Sequence, residues 1–209
     1  QSGRELTFEI GSNSDLVLEN TITGNLEWTI EKFGRTEKGY ITFPTKFDMV
    51  EPLLSLNHRG RTIVRMSLNP QEIINKVEFG TSSLIKRINA LNNLKEAGYK
   101  IGILIAPVVM LPNWAPLYAQ LFETLSEKLS RKVKDEAFFE VIFMTYSYVH
   151  RMINTEAFPK AVDLYDKNLM TGRGRGKYTY KQSAREEGEL LIRAEISRHF
   201  PGNKILYVV

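Results

Sequence analysis

Cysteine is absent from the 209 residues. Disulfides, thiolate zinc sites, cysteine nucleophiles and cysteine-held iron–sulfur clusters are therefore excluded within the chain. No stretch approaches the eighteen or so uncharged apolar residues that span a bilayer. Gln1–Arg4 is not a basic lead into an apolar run, so no signal peptide is expected and a cytoplasmic location is the default. Histidine is scarce: His58, His150 and His199 complete the inventory. No two of them have the i, i+4 spacing of a metal-binding helix, so surface or capping roles are expected. No G-x-S-x-G elbow occurs, which removes the usual support for a Ser-His-Asp mechanism. Internal repeats and low-complexity tracts are also missing. What remains is ordinary globular material, 43% hydrophobic and 25% charged, enough for one large domain or two small ones. Its net charge of +4 permits an anionic partner without demanding one.

Short apolar, β-branched runs alternate with helical patterns. Leu6–Ile10, Tyr40–Phe43, Thr62–Leu68, Lys100–Ala106 and Phe138–Met144 read as strands; Leu26–Phe33, Phe47–Asn57, Pro70–Lys76, Ser82–Ala97 and Trp114–Leu129 read as helices. Alternation of this kind is the pattern of parallel βαβ units. Near-continuous apolar strands such as KIGILIA suit a sheet buried on both faces. Polar clusters follow almost every strand (SNSD, PTK, SLNP, APV), which fits a (β/α) barrel with its site at the carboxyl rim better than a doubly wound sheet. Five strands do not close an eight-stranded barrel, so an open one is expected. Residues 1–150 form that partial barrel. Residues 151–209 form a C-terminal extension packed on it as one domain: a basic hairpin within Asp166–Ser183, a helix over Ala184–Phe200 with Leu190, Leu191, Ala194, Ile196 and Phe200 as its apolar members, and a short strand at Lys204–Val209.

Three groups carry candidate chemistry. Ser12, Asn13, Ser14 and Asp15 follow the first strand, Lys46 the second, and Ser67 and Asn69 close the third. Helix capping explains the serines one at a time. Lys46 is harder to explain so, because a cation in the first turn of the helix expected at Phe47 opposes the helix dipole; it is expected to face a carboxylate or phosphate across the rim. Further on, Lys167, Arg173, Arg175, Lys177, Lys181 and Arg185 fall in a stretch without Asp or Glu. Gly172, Gly174 and Gly176 let the backbone approach a ligand, and Tyr178 and Tyr180 share a face of an extended segment, available for stacking. Glycine-spaced arginines with tyrosines suit a phosphate backbone and exposed bases. A solvated basic hairpin is the plainer alternative.

The ordered set FEIGSNSD, FPTKFDMVEPLL, IVRMSLNPQEII, EFGTSS, AGYKIGILIAPVV and RGKYTY resembles the C-terminal two-thirds of the spore photoproduct lyase family, from about Glu5 to Tyr207. EFGTSS followed by AGYKIGILIAP is its most specific part. The resemblance implies a radical S-adenosylmethionine enzyme on an open, six-stranded partial (β/α) barrel. It implies S-adenosyl-L-methionine bound by Ser14, Lys46, Ser67 and Ala106, and a hairpin at Gly172–Tyr180, with Arg173, Arg175, Lys177 and Tyr178, set against double-stranded DNA containing a thymine lesion. In that family a cluster-bound S-adenosylmethionine yields a 5′-deoxyadenosyl radical, which abstracts a hydrogen from the methylene-bridged thymine dimer. The family's C-x-x-x-C-x-x-C loop, which holds the [4Fe-4S] cluster, maps ahead of Gln1. The family's hydrogen-donating cysteine maps to Ser12, and its arginine–tyrosine pair to Gly172 and Arg173. A monomer without membrane contact is expected, in the cytoplasm or spore core, with carbon–carbon lyase activity in the full-length parent and none in this chain alone. Two other readings stay open: a DNA-binding paralogue that has lost its chemistry, and an unrelated small-molecule barrel enzyme using Lys46.

Overall fold

The structure, a computed structural model, describes residues 5–209. Six strands make one sheet in the order β1 (Thr7–Glu9), β2 (Tyr40–Thr45), β3 (Thr62–Ser67), β4 (Lys100–Val108), β5 (Phe138–Phe143) and β9 (Ile205–Val208). Every neighbouring pair is parallel. The sheet is therefore an open partial barrel. Its sixth strand comes from the last residues of the chain, so KILYVV completes the sheet and does not stand apart as a terminal appendage. β4 shows why such runs are apolar throughout: from Ile101 to Ala106 every residue is buried.

Helices return the strands to one another except between β2 and β3. α1 (Leu16–Thr23) and α2 (Asn25–Gly34) link β1 to β2; α3 (Gln71–Val77) and α4 (Leu84–Glu96) link β3 to β4; α5 (Trp114–Lys128) and α6 (Arg131–Glu136) link β4 to β5. α1 was not anticipated: SNSD reads as a helix-capping cluster, but no helical pattern was expected before Leu26. Asp15 starts it, accepting from the amides of Val17 and Leu18. Gly24, at φ 64°, ends α1 and begins α2. The helix expected over Phe47–Asn57 does not form. A single 3₁₀ turn at Glu51–Leu53 stands there, because Val50, Leu53 and their neighbours fill the space under Tyr99, whose hydroxyl donates to the Leu53 carbonyl at 2.7 Å. The dipole argument made for Lys46 lapses with that helix.

His58 is likewise not a surface residue. It is buried, stacked on Tyr99 at 3.9 Å, with Nε2 3.0 Å from the Ala97 carbonyl at the end of α4. The same turn sets a steric limit. A Cβ on Gly34 would lie 2.5 Å from the Asn57 carbonyl oxygen and 3.1 Å from the His58 Cα. Both are backbone atoms that cannot swing aside. Gly34→Ala is therefore expected to destabilise the protein by about 1–3 kcal/mol, read as a lowered midpoint in thermal denaturation; an unchanged midpoint would show that the turn yields.

A second, antiparallel sheet of order β6-β8-β7 contains β6 (Thr145–Ser147), β7 (Met170–Gly172) and β8 (Lys177–Tyr180). α7 (Tyr148–Ala157) leads out of β6, and α8 (Gln182–His199) follows β8 and returns the chain to β9. The two parts expected at 1–150 and 151–209 thus interleave: β6 lies before residue 150 and pairs with the hairpin, whereas β9 lies after it and completes the main sheet. α8 buries Ala184, Gly188, Ile192 and Ile196, spaced four apart, and turns Leu190 outward. Gly188 sits on that face because a Cβ there would meet Met110 and Phe143.

Candidate active site at the carboxyl rim

Parallel strands put their carboxyl ends on one edge, and there Ser12, Ser14, Lys46, Ser67 and Ala106 line one pocket of about 440 Å³. Its remaining wall divides by character. Leu104, Ile142, Pro44, Pro107 and Phe47 form an apolar side; Asp15 and Thr45 join the polar one. Ser14 does not cap α1, since Asp15 does. Asp15 also accepts from the Thr45 hydroxyl at 2.8 Å and the Lys46 amide at 2.8 Å, so one carboxylate ties the turn after β1 to the end of β2. This anchoring sets where Ser12, Ser14 and Lys46 stand relative to each other.

Lys46 finds its carboxylate within the chain. Its Nζ is 2.5 Å from Glu78 Oε1 and 3.4 Å from the Ala106 carbonyl. Ser67 donates to that same carbonyl at 2.6 Å. Glu78 also accepts from Asn69 Nδ2 at 2.7 Å and from Arg87 at 2.7 Å. Arg87 is wholly buried and spends its other donors on the Ser82 and Ser67 carbonyls and the Thr81 hydroxyl. Neither Glu78 nor Arg87 was singled out from the sequence. EFGTSS is now legible residue by residue: Glu78 joins the two cations, Thr81 receives Arg87, and the Ser82 hydroxyl donates to Asp48. Tyr118 completes the network, donating to Asn69 Oδ1 and accepting from the Val109 amide.

Two cations, Lys46 and Arg87, face two carboxylates, Glu78 and Asp15, so the rim is formally neutral and Lys46 is the cation that borders the pocket. Burial holds the Lys46 ammonium below its usual value; attraction to Glu78 opposes this and repulsion from Arg87 adds to it. Burial acting alone raises Glu78, yet Lys46 and Arg87 outweigh it and hold the carboxyl below its ordinary range. Among the described residues no cluster of three or more metal-ligating side chains occurs, and with no cysteine the chain offers no seat for an iron–sulfur cluster.

The hairpin projects from the second sheet. Arg173, Arg175 and Lys177 are exposed. The turn is closed by Arg173 N to Lys177 O at 2.8 Å, and Arg175 adopts φ 52° between Gly174 and Gly176, both also positive. Tyr178 is half-buried among Tyr165, Tyr148 and Tyr146, with centroids at 4.9, 5.5 and 6.4 Å. Tyr180 is not available for stacking. It is buried, its hydroxyl accepts from the Met110 amide at 2.8 Å, and burial pushes it up to about 12. A bulge-free alternation does not reveal this, because β8 turns its faces to different neighbours than a free hairpin has.

An open parallel (β/α) barrel with a polar pocket on its carboxyl rim, followed by a basic hairpin in a second sheet, defines the partial-barrel class of fold. The model of the family described as spore photoproduct lyase matches residues 2–209. The spore photoproduct lyases of Geobacillus sp. (strain Y412MC61) and Bacillus subtilis (strain 168) are each 33% identical over 204 residues, which is 96% of this chain and 60% of theirs. A solved spore photoproduct lyase variant with bound AdoMet and dinucleoside spore photoproduct superimposes with a TM-score of 0.92 at 31% identity, covering 100% of this chain and 63% of that one. A second, complexed with dinucleoside spore photoproduct, gives 0.92 at 32% identity. The chain belongs to the spore photoproduct lyase family, and it spans about three-fifths of the length of the curated relatives it matches. Among the described residues no helix is long and apolar enough to cross a membrane.

Proposed function

We propose that this chain is the S-adenosyl-L-methionine-binding barrel and DNA-binding hairpin of a DNA repair lyase that acts on the spore photoproduct thymine dimer in double-stranded DNA. The convergence of Ser14, Lys46, Ser67 and Ala106 on one pocket carries the reading. Its volume falls within the range of about 300–1,000 Å³ usual for small-molecule sites. Its chemistry suits the ligand: a zwitterion bearing an adenosine needs a cation for its carboxylate, hydroxyls for its ribose and an apolar slot for its ring. Lys46 is the cation, Ser14 a hydroxyl facing the pocket, and Leu104, Pro107 and Ile142 the slot. Ser67 works indirectly, because its hydroxyl is committed to the Ala106 carbonyl and so fixes that strand end. When bound to a cluster, S-adenosylmethionine supplies a 5′-deoxyadenosyl radical. The cluster's ligands are not among these residues, so the chain alone is expected to release no 5′-deoxyadenosine under dithionite after iron and sulfide reconstitution. Detection of that product by chromatography would overturn the expectation that this chain alone does not cleave S-adenosylmethionine.

Ser12 lines the same pocket, at the position of the family's hydrogen-donating cysteine. A hydroxyl O–H bond is much stronger than a thiol S–H bond. Ser12 is thus the catalytic position by place but a poor hydrogen-atom donor by chemistry. Its role in this chain is a polar wall beside the reacting centre.

The exposed cations of Arg173, Arg175 and Lys177 are set to hold DNA phosphates, with Tyr178 bracing the hairpin from behind. Fluorescence anisotropy on duplex DNA across a salt series tests this. Arg173→Ala/Arg175→Ala is expected to flatten the plot of log affinity against log salt by roughly two units, about 0.9 per lost phosphate contact. An unchanged slope would place the DNA elsewhere. A monomer located in the cytoplasm or spore core is consistent with this assignment.

A further inference from the structure

Two phenylalanines on the rim belong to neither the pocket nor the hairpin. Phe79 lies in the turn between α3 and α4, and Phe158 ends α7. Their rings stack, with centroids 5.4 Å apart and planes 27° from parallel. Yet they are no part of the core, at 47% and 49% exposed. Each ring gives part of one face to the other and keeps about half of its surface in water. Exposed apolar area forgoes the stabilisation that burial gains, and a paired aromatic surface beside a cavity is open to an occupant with a flat apolar face.

The surroundings narrow the occupant. A cavity of about 330 Å³ adjoins the rings, walled also by Lys46, Glu78, Thr81 and Asn154. It shares Lys46 and Pro107 with the larger pocket, so the two are separated by a single side-chain layer. At its other end α7 begins on the hairpin: the Tyr148 amide donates to the Gly176 carbonyl at 3.0 Å. One ten-residue helix therefore runs from the arginine turn to the phenylalanine pair. At about 1.5 Å per residue it covers roughly 15 Å, the length of about four nucleotide steps at 3.4 Å each. A flat apolar face, polar groups at its edge and cations one helix away match the parts of a nucleotide in a strand: base face, base edge and phosphate.

We propose that Phe79 and Phe158 are a stacking platform for one unpaired base of the DNA strand whose phosphates the hairpin holds. The inference rests on the DNA-binding reading given above. It adds a second contact of different chemistry, indifferent to salt and dependent on a base being out of the duplex stack. Asn154 stands where it meets the edge of that base, whereas the Thr81 hydroxyl is committed to the Glu78 carbonyl and Arg87 and only walls the cavity. If the rings served only as a cover over Val77 and Pro107, leucine would serve as well. Leucine has no flat π face, and this separates the two roles.

The test uses the whole 209-residue chain and two duplexes, one with a single bulged base and one with that base replaced by an abasic site. Anisotropy is expected to show the wild type favouring the bulged base by about tenfold. Phe79→Leu and Phe158→Leu should lose that preference while keeping the wild-type salt slope, thermal midpoint and affinity for S-adenosylhomocysteine. Arg173→Ala/Arg175→Ala should do the reverse, losing slope and keeping the preference. Retention of the preference in both leucine variants would reduce the rings to a cover and overturn the platform. Loss of S-adenosylhomocysteine binding in the leucine variants would assign the rings to the cofactor's adenine and overturn it too. An unchanged slope in the arginine variant with base preference intact would remove the hairpin from the reading and leave the platform standing as the DNA contact.

Discussion

Glu78→Gln is expected to lower the thermal midpoint by roughly 10 °C, from a loss of about 3–5 kcal/mol at about 2–4 °C per kcal/mol for a chain of this size. The reason is Arg87. Its side chain has no exposed surface, and among the described residues Glu78 is its only ion-pair partner, at 2.7 Å. An amide in place of the carboxylate keeps the shape and removes the charge, so a buried guanidinium is left without compensation. Glu78→Gln/Arg87→Met should recover part of the loss, because no orphan charge remains, although the Ser67 and Ser82 carbonyls lose their donors. The pH dependence follows from the same carboxyl. It is held below its ordinary value of 4.5 in the fold. Between the folded and unfolded values the unfolded chain binds the extra proton, so stability rises with pH there. Its contribution is fully present above about 4.5 and is lost as pH falls through the lower folded value. Denaturation midpoints followed from pH 7 to pH 3 should therefore drop more steeply for the wild type than for Glu78→Gln. Parallel curves, or a single variant that melts within a degree or two of wild type, would show that Arg87 is held by its carbonyl partners alone.

The fold was legible wherever burial imposed a period. KIGILIA and FFEVIF stand as β4 and β5 because both faces are covered, and Leu84, Ile88, Leu91 and Leu94 mark the inner face of α4 as expected. Reading failed where a polar residue sits on an apolar face or where packing overrides local preference. Arg87 interrupts the stripe of α4 with a charge, and only the partner carboxylate, nine residues earlier in sequence and across a turn, makes sense of it. Phe47–Asn57 has helical spacing but is consumed by contacts to Tyr99 and the core. In α8, Leu190 was expected on the apolar face and Ile192 was not; the structure reverses them, because Gly188 is the residue that lets the helix approach Phe143 and Ile192 lies one turn along from it. The rim behaved differently. Ser14, Lys46 and Ser67 were found by their place after strands and Ala106 through the family resemblance; parallel topology sets all four on one rim, and Asp15 fixes the spacing of the first two. Glu78 follows α3, not a strand, and lay outside that rule.

Lys46→Met is expected to weaken S-adenosylhomocysteine binding by about tenfold to a hundredfold, the worth of one charge-assisted hydrogen bond of roughly 1.5–3 kcal/mol, while leaving the fold nearly as stable as before. The two halves of that outcome come from different parts of the network. Glu78 keeps Arg87 at 2.7 Å and Asn69 at 2.7 Å when the lysine is gone, so its carboxylate is not orphaned. Burial disfavours the Lys46 ammonium in the fold, so replacing it by an unbranched apolar chain of similar length removes that cost as well as the ion pair. Glu78→Gln should show the opposite balance, with a large loss of stability. Calorimetry gives the affinity and a thermal scan gives the midpoint, and the pair of variants separates a ligand-binding cation from a structural one. The pH profile supplies a further check. A carboxylate ligand needs the protonated amine, and Lys46 loses its proton at a pH below the usual 10.5. Wild-type affinity should therefore decline as pH rises through that lowered value, and Lys46→Met should bind weakly with no such decline. Equal affinities at neutral pH would leave the rim pocket without its cation and return Lys46 to the role of a partner for Glu78.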